Sequence, residues 1–303
     1  NLDWYPLVSI IILNWNRKDD VEETLNKIKQ QSYNNVEIIV VDNGSNDNSV
    51  DIIERNFPLI TVIALPCNIG CEDGNNVGIL NAKGEIILFL DSDAGIEKDG
   101  ISKLIESFYE DKAVGIVEPR IIRPADNYII NEPKYWGNKF TGCVVAFRAS
   151  VFKDIGLRPG EYFIYASEPD LSLRAIEFGY RIVHRSDVIG EHRESPTARL
   201  SKKFYYYSTR NCLWLIWRYY PLQSAVYETI FLLTFYLVLS IKTFAFRYYI
   251  QGVFAGIIGF KSQVIGKRKV LKRYNEARLF PGYKDLIKIL KLKIFKSING
   301  DSS

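Results

Sequence analysis

Residues 84–93, Gly-Glu-Ile-Ile-Leu-Phe-Leu-Asp-Ser-Asp, set the tightest limit on what this chain can become. An apolar run of β-formers without a polar break suits a strand buried on both faces, as in a parallel sheet covered by helices. The run halts at two carboxylates. Side chains alternate along a strand at a rise of about 3.3 Å per residue, so Asp91 and Asp93 project from one side at its carboxyl end, where open α/β sheets bind ligands. Two anions there repel unless a cation lies between them, and oxygen ligands suit Mg²⁺ or Mn²⁺ better than Zn²⁺. A diphosphate would complete such an ion's shell. The structural alternative is that Asp-Ser-Asp turns the chain and caps a helix.

Upstream, residues 7–13 and 36–41 are two more apolar runs, ending at Asn14 and Asp42. Between them Val21, Leu25 and Ile28 keep helical spacing behind Asp19 and Asp20, which favour a helix start. A second helix over 49–56, a short strand over 60–64 and a helix near 75–82 complete a strand-helix alternation, predicting a parallel sheet with right-handed crossovers. Asn14, Asp42 and Asp91 then line one crevice, fit for a ligand rich in hydrogen-bonding groups such as a nucleotide. The glycine fingerprints of dinucleotide dehydrogenases and P-loop NTPases do not occur, which argues against both classes.

A strand ending Asn14-Trp15-Asn16, another ending Asp42-Asn43-Gly44-Ser45, then Asn68-Ile69-Gly70 with Asn75-Asn76-Val77-Gly78, and Leu90-Asp91-Ser92-Asp93 stand in an order that resembles the inverting family 2 glycosyltransferases of GT-A fold. The likeness continues through Thr141-Gly142-Cys143, Glu168-Pro169-Asp170-Leu171 and Tyr207-x-x-Arg210-Asn211, and is greatest to the rhamnosyltransferase-type enzymes of bacterial and archaeal surface glycans. The resemblance implies an α/β GT-A fold with a mostly parallel sheet flanked by helices. It implies a nucleoside-diphosphate sugar donor, UDP- or dTDP-linked, and a glycan or lipid-linked acceptor. By the same likeness Asp42 would bind the base, Asn14 and Asn16 would frame the nucleoside pocket with Asn43 and Asn68 beside it, and Asn75 would lie near the ribose or sugar. Asp93 would ligate Mn²⁺ or Mg²⁺, Asp91 would touch the ribose or a metal water, and His192 would complete the metal site. Arg210 would meet the diphosphate. For Asn14, Asn16 and Asn75 the alternative is Asx-turn capping, and for Arg210 an ion pair on a helix face.

Glu168 is the candidate base for the acceptor hydroxyl. Pro169 fits the first turn of a helix whose inner face is read as Leu171, Leu173, Ala175 and Phe178. The family pattern has two adjacent acids here, and this chain has Ser167 in the first place. Asp170 is the reserve, with capping or pairing to Arg174 as its structural alternative. Tyr135 and Trp136 either stack on an acceptor sugar or cover the core. Thr141 to Phe147 reads as a strand, with Gly142 permitting close approach. A strand over 181–183 ends at His184, read as structural.

Net charge is +4 overall, yet residues 261–303 hold 12 Lys/Arg against 3 Asp/Glu, leaving the rest at −5. Trp214, Trp217, Tyr219 and Tyr220 precede an apolar stretch over 225–246, whose charge-free part is 13 residues, short of the roughly 20 that span a bilayer. An interfacial or buried helix is favoured there over a span, which is conceivable only with Glu228 and Lys242 snorkelling, and an amphipathic basic helix follows over 283–296. Lipid rather than nucleic acid is the expected partner of this region, at the cytoplasmic face of a cell membrane. Residues 1–5 lack a signal peptide's basic start and apolar run. Cys67, Cys71, Cys143 and Cys212 have no paired metal spacing and read as reduced, buried thiols. The expected organisation is a nucleotide-sugar half (1–115), an acceptor and catalytic half (116–212) and a membrane-associating region (213–303). The competing readings are a non-catalytic binding partner of the same fold, for which the altered Ser167-Glu168-Pro169 segment speaks, and a nucleotidyltransferase.

Overall fold

The computed structural model describes residues 5–131, 138–193 and 202–279. Its first half alternates as expected. Strands β1 (Val8–Asn14), β2 (Val36–Asp42), β3 (Thr61–Ala64) and β4 (Ile86–Asp91) pair in parallel in the order β3-β2-β1-β4. Helices α1 (Lys18–Ile28), α2 (Ser49–Asn56) and α3 (Cys71–Asn81) join them. β1 and β4 are enclosed on both faces, so neither needs an alternating pattern. α1 buries Val21, Thr24, Leu25 and Ile28, the stripe that its spacing called for. α3 starts earlier than the expected 75–82, and its buried face is made of Glu72, Gly74, Asn75, Asn76, Gly78 and Ile79.

Past β4 the sheet becomes mixed. The elements are β5 (Ala94–Ile96), α4 (Gly100–Glu110), β6 (Val114–Arg123), β7 (Tyr128–Ile129), β8 (Val144–Arg148), α5 (Ala149–Ile155), α6 (Ser167–Phe178) and β9 (Arg181–His192). β8 lies between β4 and β6 and runs antiparallel to both, while β9 is parallel to β6 and antiparallel to β5. β9 is far longer than the strand expected at 181–183. Its ladder with β6 skips between Pro119 and Arg120, where proline has no N–H to give, and then resumes to Glu191, while His192 pairs with Ala94 of β5. On α6, Leu171, Leu173, Ala175 and Ile176 face inward, whereas Phe178 is exposed and stacks on Tyr180. The inner face is therefore corrected by one residue, Ile176 replacing Phe178.

The C-terminal part builds a second core of Tyr162, Trp214, Tyr219, Tyr220, Tyr236 and Tyr249. It contains α7 (Lys203–Tyr219), α8 (Leu222–Lys242), α9 (Phe246–Ile258) and α10 (Phe260–Gln263). The apolar stretch over 225–246 thus lies almost wholly on α8 and ends in a bend at Phe244, φ +55°, before α9. α8, at 21 residues, is the one helix among the described residues long and apolar enough to cross a membrane. Glu228 does not snorkel: it is fully buried and accepts hydrogen bonds from Arg278 at 2.6 and 2.9 Å. Of the thiols, Cys143 and Cys212 are buried while Cys67 is exposed, and all four are free. Tyr135, Trp136 and the 283–296 segment lie outside the described residues.

Candidate active site

Strand register assembles the first part of the site. Asn14 and Asp42 are partners across β1 and β2, and Leu13 and Asp91 across β1 and β4, so three polar strand ends share one edge. Asn14 donates to Asp42 Oδ2 at 2.9 Å, and Asp42 Oδ1 accepts from the Ser45 amide at 2.8 Å. Asn16, at φ +52°, accepts from the Asn46 amide at 2.8 Å. Asn43 ties this turn to the next loop, donating to Asn68 Oδ1 and to the Gly70 carbonyl. Gly44 at φ +75° is required because a Cβ there would lie 2.6 Å from the Cys67 Cα. The buried Asn14 Oδ1 has no hydrogen-bond partner, which suits an acceptor for a ligand's donor group. Asn75 instead bonds back to the Cys71 carbonyl of its own helix at 2.9 Å, the capping alternative.

Asp91, Asp93 and His192 form the second part, each offering one ligand atom within 4.8 Å of the others. Sheet topology explains the meeting: β5 pairs with β9 so that Ala94 stands opposite His192. Nε2 of His192 lies 3.3 Å from Asp93 Oδ1 and 3.7 Å from Asp91 Oδ2. Arg17 holds the other oxygen of Asp93 at 2.5 Å. Burial works against the Asp93 anion, yet the hydrogen bonds and charges of His192 and Arg17 prevail and hold its carboxyl well below the usual range. Asp91 is half-exposed but walled in by protein, and that desolvation pushes it up to about 6 against the pull of His192. Two carboxylates and an imidazole are a suitable donor set for Mn²⁺ or Mg²⁺.

The third part reaches the edge through β8. The Asp91 amide donates to the Cys143 carbonyl at 2.9 Å, and the adjacent Gly142 packs on the carboxylate of Glu168. Glu168, partly exposed in the first turn of α6, accepts from Arg158 Nη2 at 3.2 Å. Asp170 is buried, with Arg174 on one oxygen at 2.6 Å and the Tyr162 hydroxyl on the other at 3.3 Å, matching its structural alternative. Arg210 donates to the carbonyls of Glu161 and Tyr162, and its guanidinium lies over Tyr206, Tyr207 and Trp214. Asn211 donates to the carbonyls of Tyr162, Ile164 and Tyr165. Among and just after those carbonyls Phe163, Tyr165 and Ala166 adopt positive φ, a strain of order 1–3 kcal/mol each. The Arg-Asn pair therefore props up a strained loop leading into α6, a role beside the diphosphate contact expected of Arg210 that nothing in the sequence announces. Arg158 was also missed, since nothing marks a lone arginine in a loop.

The geometry has counterparts among known proteins. Residues 9–162 match the model of "Glycosyl transferase family 2". TuaG of Bacillus subtilis, a glycosyltransferase attributed to teichuronic acid biosynthesis, is 34% identical over 36% of this chain and 44% of its own length. The chain matches under half the length of the first curated relatives. A mannosyltransferase from Pyrobaculum calidifontis, solved with GDP-Man and Mn²⁺, superposes with TM-score 0.59 at 18% identity, covering 98% of this chain and 83% of that one. S. aureus TarS with UDP-GlcNAc gives TM-score 0.56 at 19% identity over 85% of this chain and 76% of that one. With the family model spanning half of its residues and the strand ends, acidic cluster and α6 in place, this chain belongs to glycosyl transferase family 2.

Proposed function

We propose that the protein is an inverting, metal-dependent glycosyltransferase that moves a hexosyl or rhamnosyl-type sugar from a nucleoside diphosphate to a hydroxyl of a surface or lipid-linked glycan. The observation that carries this reading is the convergence on one sheet edge of the Asn14–Asp42 pair, the Asp91/Asp93/His192 cluster and Glu168. In it, Asp42 and Asn14 take the base and nucleoside, with Asn16, Asn43 and Asn68 shaping the loops around them. Asp91, Asp93 and His192 would hold Mn²⁺ or Mg²⁺, which when bound supplies charge to offset the diphosphate's. Glu168 accepts the proton of the acceptor hydroxyl as its oxygen attacks the anomeric carbon. The bond from that carbon to the diphosphate oxygen breaks, its electron pair leaves with the nucleoside diphosphate, and the configuration inverts.

The membrane-associating role of residues 213–303 belongs to the same proposal. Leu222, Val226, Ile230, Val238 and Ile241 form an exposed apolar stripe on α8, and Phe244 at the following bend is 89% exposed. A soluble helix normally turns polar residues outward. The basic balance of residues 261–303 supports an anionic cytoplasmic leaflet as the surface met.

The test is a thermal-shift panel of UDP-, dTDP- and GDP-sugars with and without Mn²⁺, followed by turnover with the stabilising donor. Free nucleoside diphosphate is the expected product, and pyrophosphate would indicate nucleotidyl transfer. Glu168→Gln is expected to keep donor binding while turnover falls about 10²–10⁴-fold.

A further inference from the structure

Glu168 does not stand alone. Its Oε1 shares the Nη2 of Arg158, at 3.2 Å, with the Ser167 hydroxyl at 2.9 Å. Arg158 is buried, and its Nε donates to Glu72 Oε2 at 2.8 Å. Glu72 is itself buried on α3, the helix that packs beneath β1. The backbone of Arg158 is clamped to the same helix: its amide donates to Asn76 Oδ1 at 3.0 Å and its carbonyl accepts from Asn76 Nδ2 at 2.9 Å. The guanidinium further rests over the Phe89 ring on β4. A buried carboxylate, Glu72, and a partly exposed one, Glu168, therefore share one cation, fixed at both ends.

We infer that Arg158, anchored by Glu72, is a positioning residue: it binds one oxygen of Glu168 and so leaves the other to meet the acceptor hydroxyl. The inference rests on Glu168 being the base. Its physical basis is that Glu168 sits on the first turn of α6 beside Gly142, where no side chain fixes its rotamer from the β8 side. A guanidinium held on α3 by Glu72 and Asn76 supplies that constraint from the loop after α5, and an ion pair with a buried partner has defined geometry. Ser167, standing where the family pattern has an acid, makes room for it: a second carboxylate at 167 would compete with Glu168 for the same nitrogen. Glu72 provides the missing negative charge from another helix. Burial raises the proton affinity of Glu72, which Arg158 opposes. The other titratable groups around Glu168 are Asp91 on β4, Cys71 on α3, and Asp170 with Arg174 on its own helix.

The experiment measures release of nucleoside diphosphate from UDP-GlcNAc, GDP-mannose and dTDP-rhamnose, with water as acceptor, across pH 5–9. Arg158→Met is expected to lower kcat about 10²-fold with donor KM within about twofold, a cost typical of a misplaced group. The acid limb of its kcat profile is expected at higher pH than in wild type, since the base has lost its cation. Glu72→Gln retains an acceptor for Arg158 but drops the competing anion, so its acid limb moves to lower pH. Arg158→Lys recovers part of kcat. A merely structural arginine would not give opposite shifts in the two variants. If Arg158→Met no longer binds nucleotide, Arg158→Lys and Glu72→Gln decide: an unshifted Glu72→Gln profile together with full kcat in Arg158→Lys overturns the inference. If Glu168→Gln turns over normally, it is the base assignment that fails. If Glu168→Gln is dead while Arg158→Met keeps the wild-type rate and profile, the base stands and Arg158 is packing alone.

Discussion

Gly142 and Glu168 touch so closely that a Cβ on the glycine would lie 2.8 Å from the carboxylate Oε1. The two residues are on different elements, one leading into β8 and the other opening α6, and Gly142 adopts φ +95°, which L-residues rarely take. Gly142→Ala is therefore expected to cost about 1–3 kcal/mol of stability through backbone strain. It also pushes the carboxylate aside, lowering kcat about 10²-fold while donor binding stays intact. Denaturant unfolding and steady-state kinetics on one preparation check both effects. Unchanged values in each would mean that the loop moves freely and that the contact is incidental.

The acidic cluster makes a claim about Mn²⁺ itself, before any turnover. His192→Ala removes one of three donors and Asp93→Asn removes a charge, so each is expected to weaken Mn²⁺ binding about 10-fold or more, at least what losing a supporting group costs. Titration calorimetry in the presence of UDP or GDP reads this directly. Affinities equal to wild type in both variants would place the ion elsewhere.

Asp47 links two loops of the nucleoside side. It accepts from the Lys18 amide at 2.9 Å and from the Ser49 amide at 3.1 Å at the start of α2. Burial works against its anion, but the hydrogen bond from the Ser49 hydroxyl, with those from the two amides, prevails and holds its carboxyl below its ordinary value. A carboxyl depressed in the folded state contributes stability above its unfolded value of about 3.9 and loses it as pH falls through the lower folded value. Asp47→Asn should thus cost about 1 kcal/mol near neutrality, as lost caps do. The deficit should shrink as pH drops below about 4, and a deficit independent of pH would assign it to packing.

The bend between α8 and α9 provides a binding prediction. Phe244 is its most exposed residue, between Lys242 and Arg247. In flotation with phosphatidylglycerol vesicles, Phe244→Asp is expected to reduce bound protein about 10-fold, and wild type is expected to bind neutral phosphatidylcholine less well. Equal binding of variant and wild type would remove this bend from the membrane-facing surface.

Much of the first half was legible because burial leaves a local mark. The apolar runs before Asn14, Asp42 and Asp91 could only be interior strands, and each became one in parallel register. The stripe of Val21, Leu25 and Ile28 likewise specified the buried face of α1. β9 was underestimated since both β6 and the antiparallel β5 sustain it past the bulge at Pro119, and no local pattern announces partners about 70 and 95 residues away. Phe178 was misplaced because stacking on Tyr180 lets an aromatic ring sit outside the core.

For the site, the chain's own order of residues determined the strand-end carboxylates and amides, since a strand's side-chain alternation is a local property. It also determined that Glu168 would open a helix, through Pro169 and the apolar spacing behind it. Only the tertiary structure decided that His192 would reach Asp93, that Arg210 and Asn211 would brace a strained loop, and that Glu72 and Arg158 would surround Glu168. Those contacts join residues whose spacing in the chain carries no period. They arise from strand order and from the requirement that a buried charge find an opposite one, conditions that apply only once distant segments have packed together.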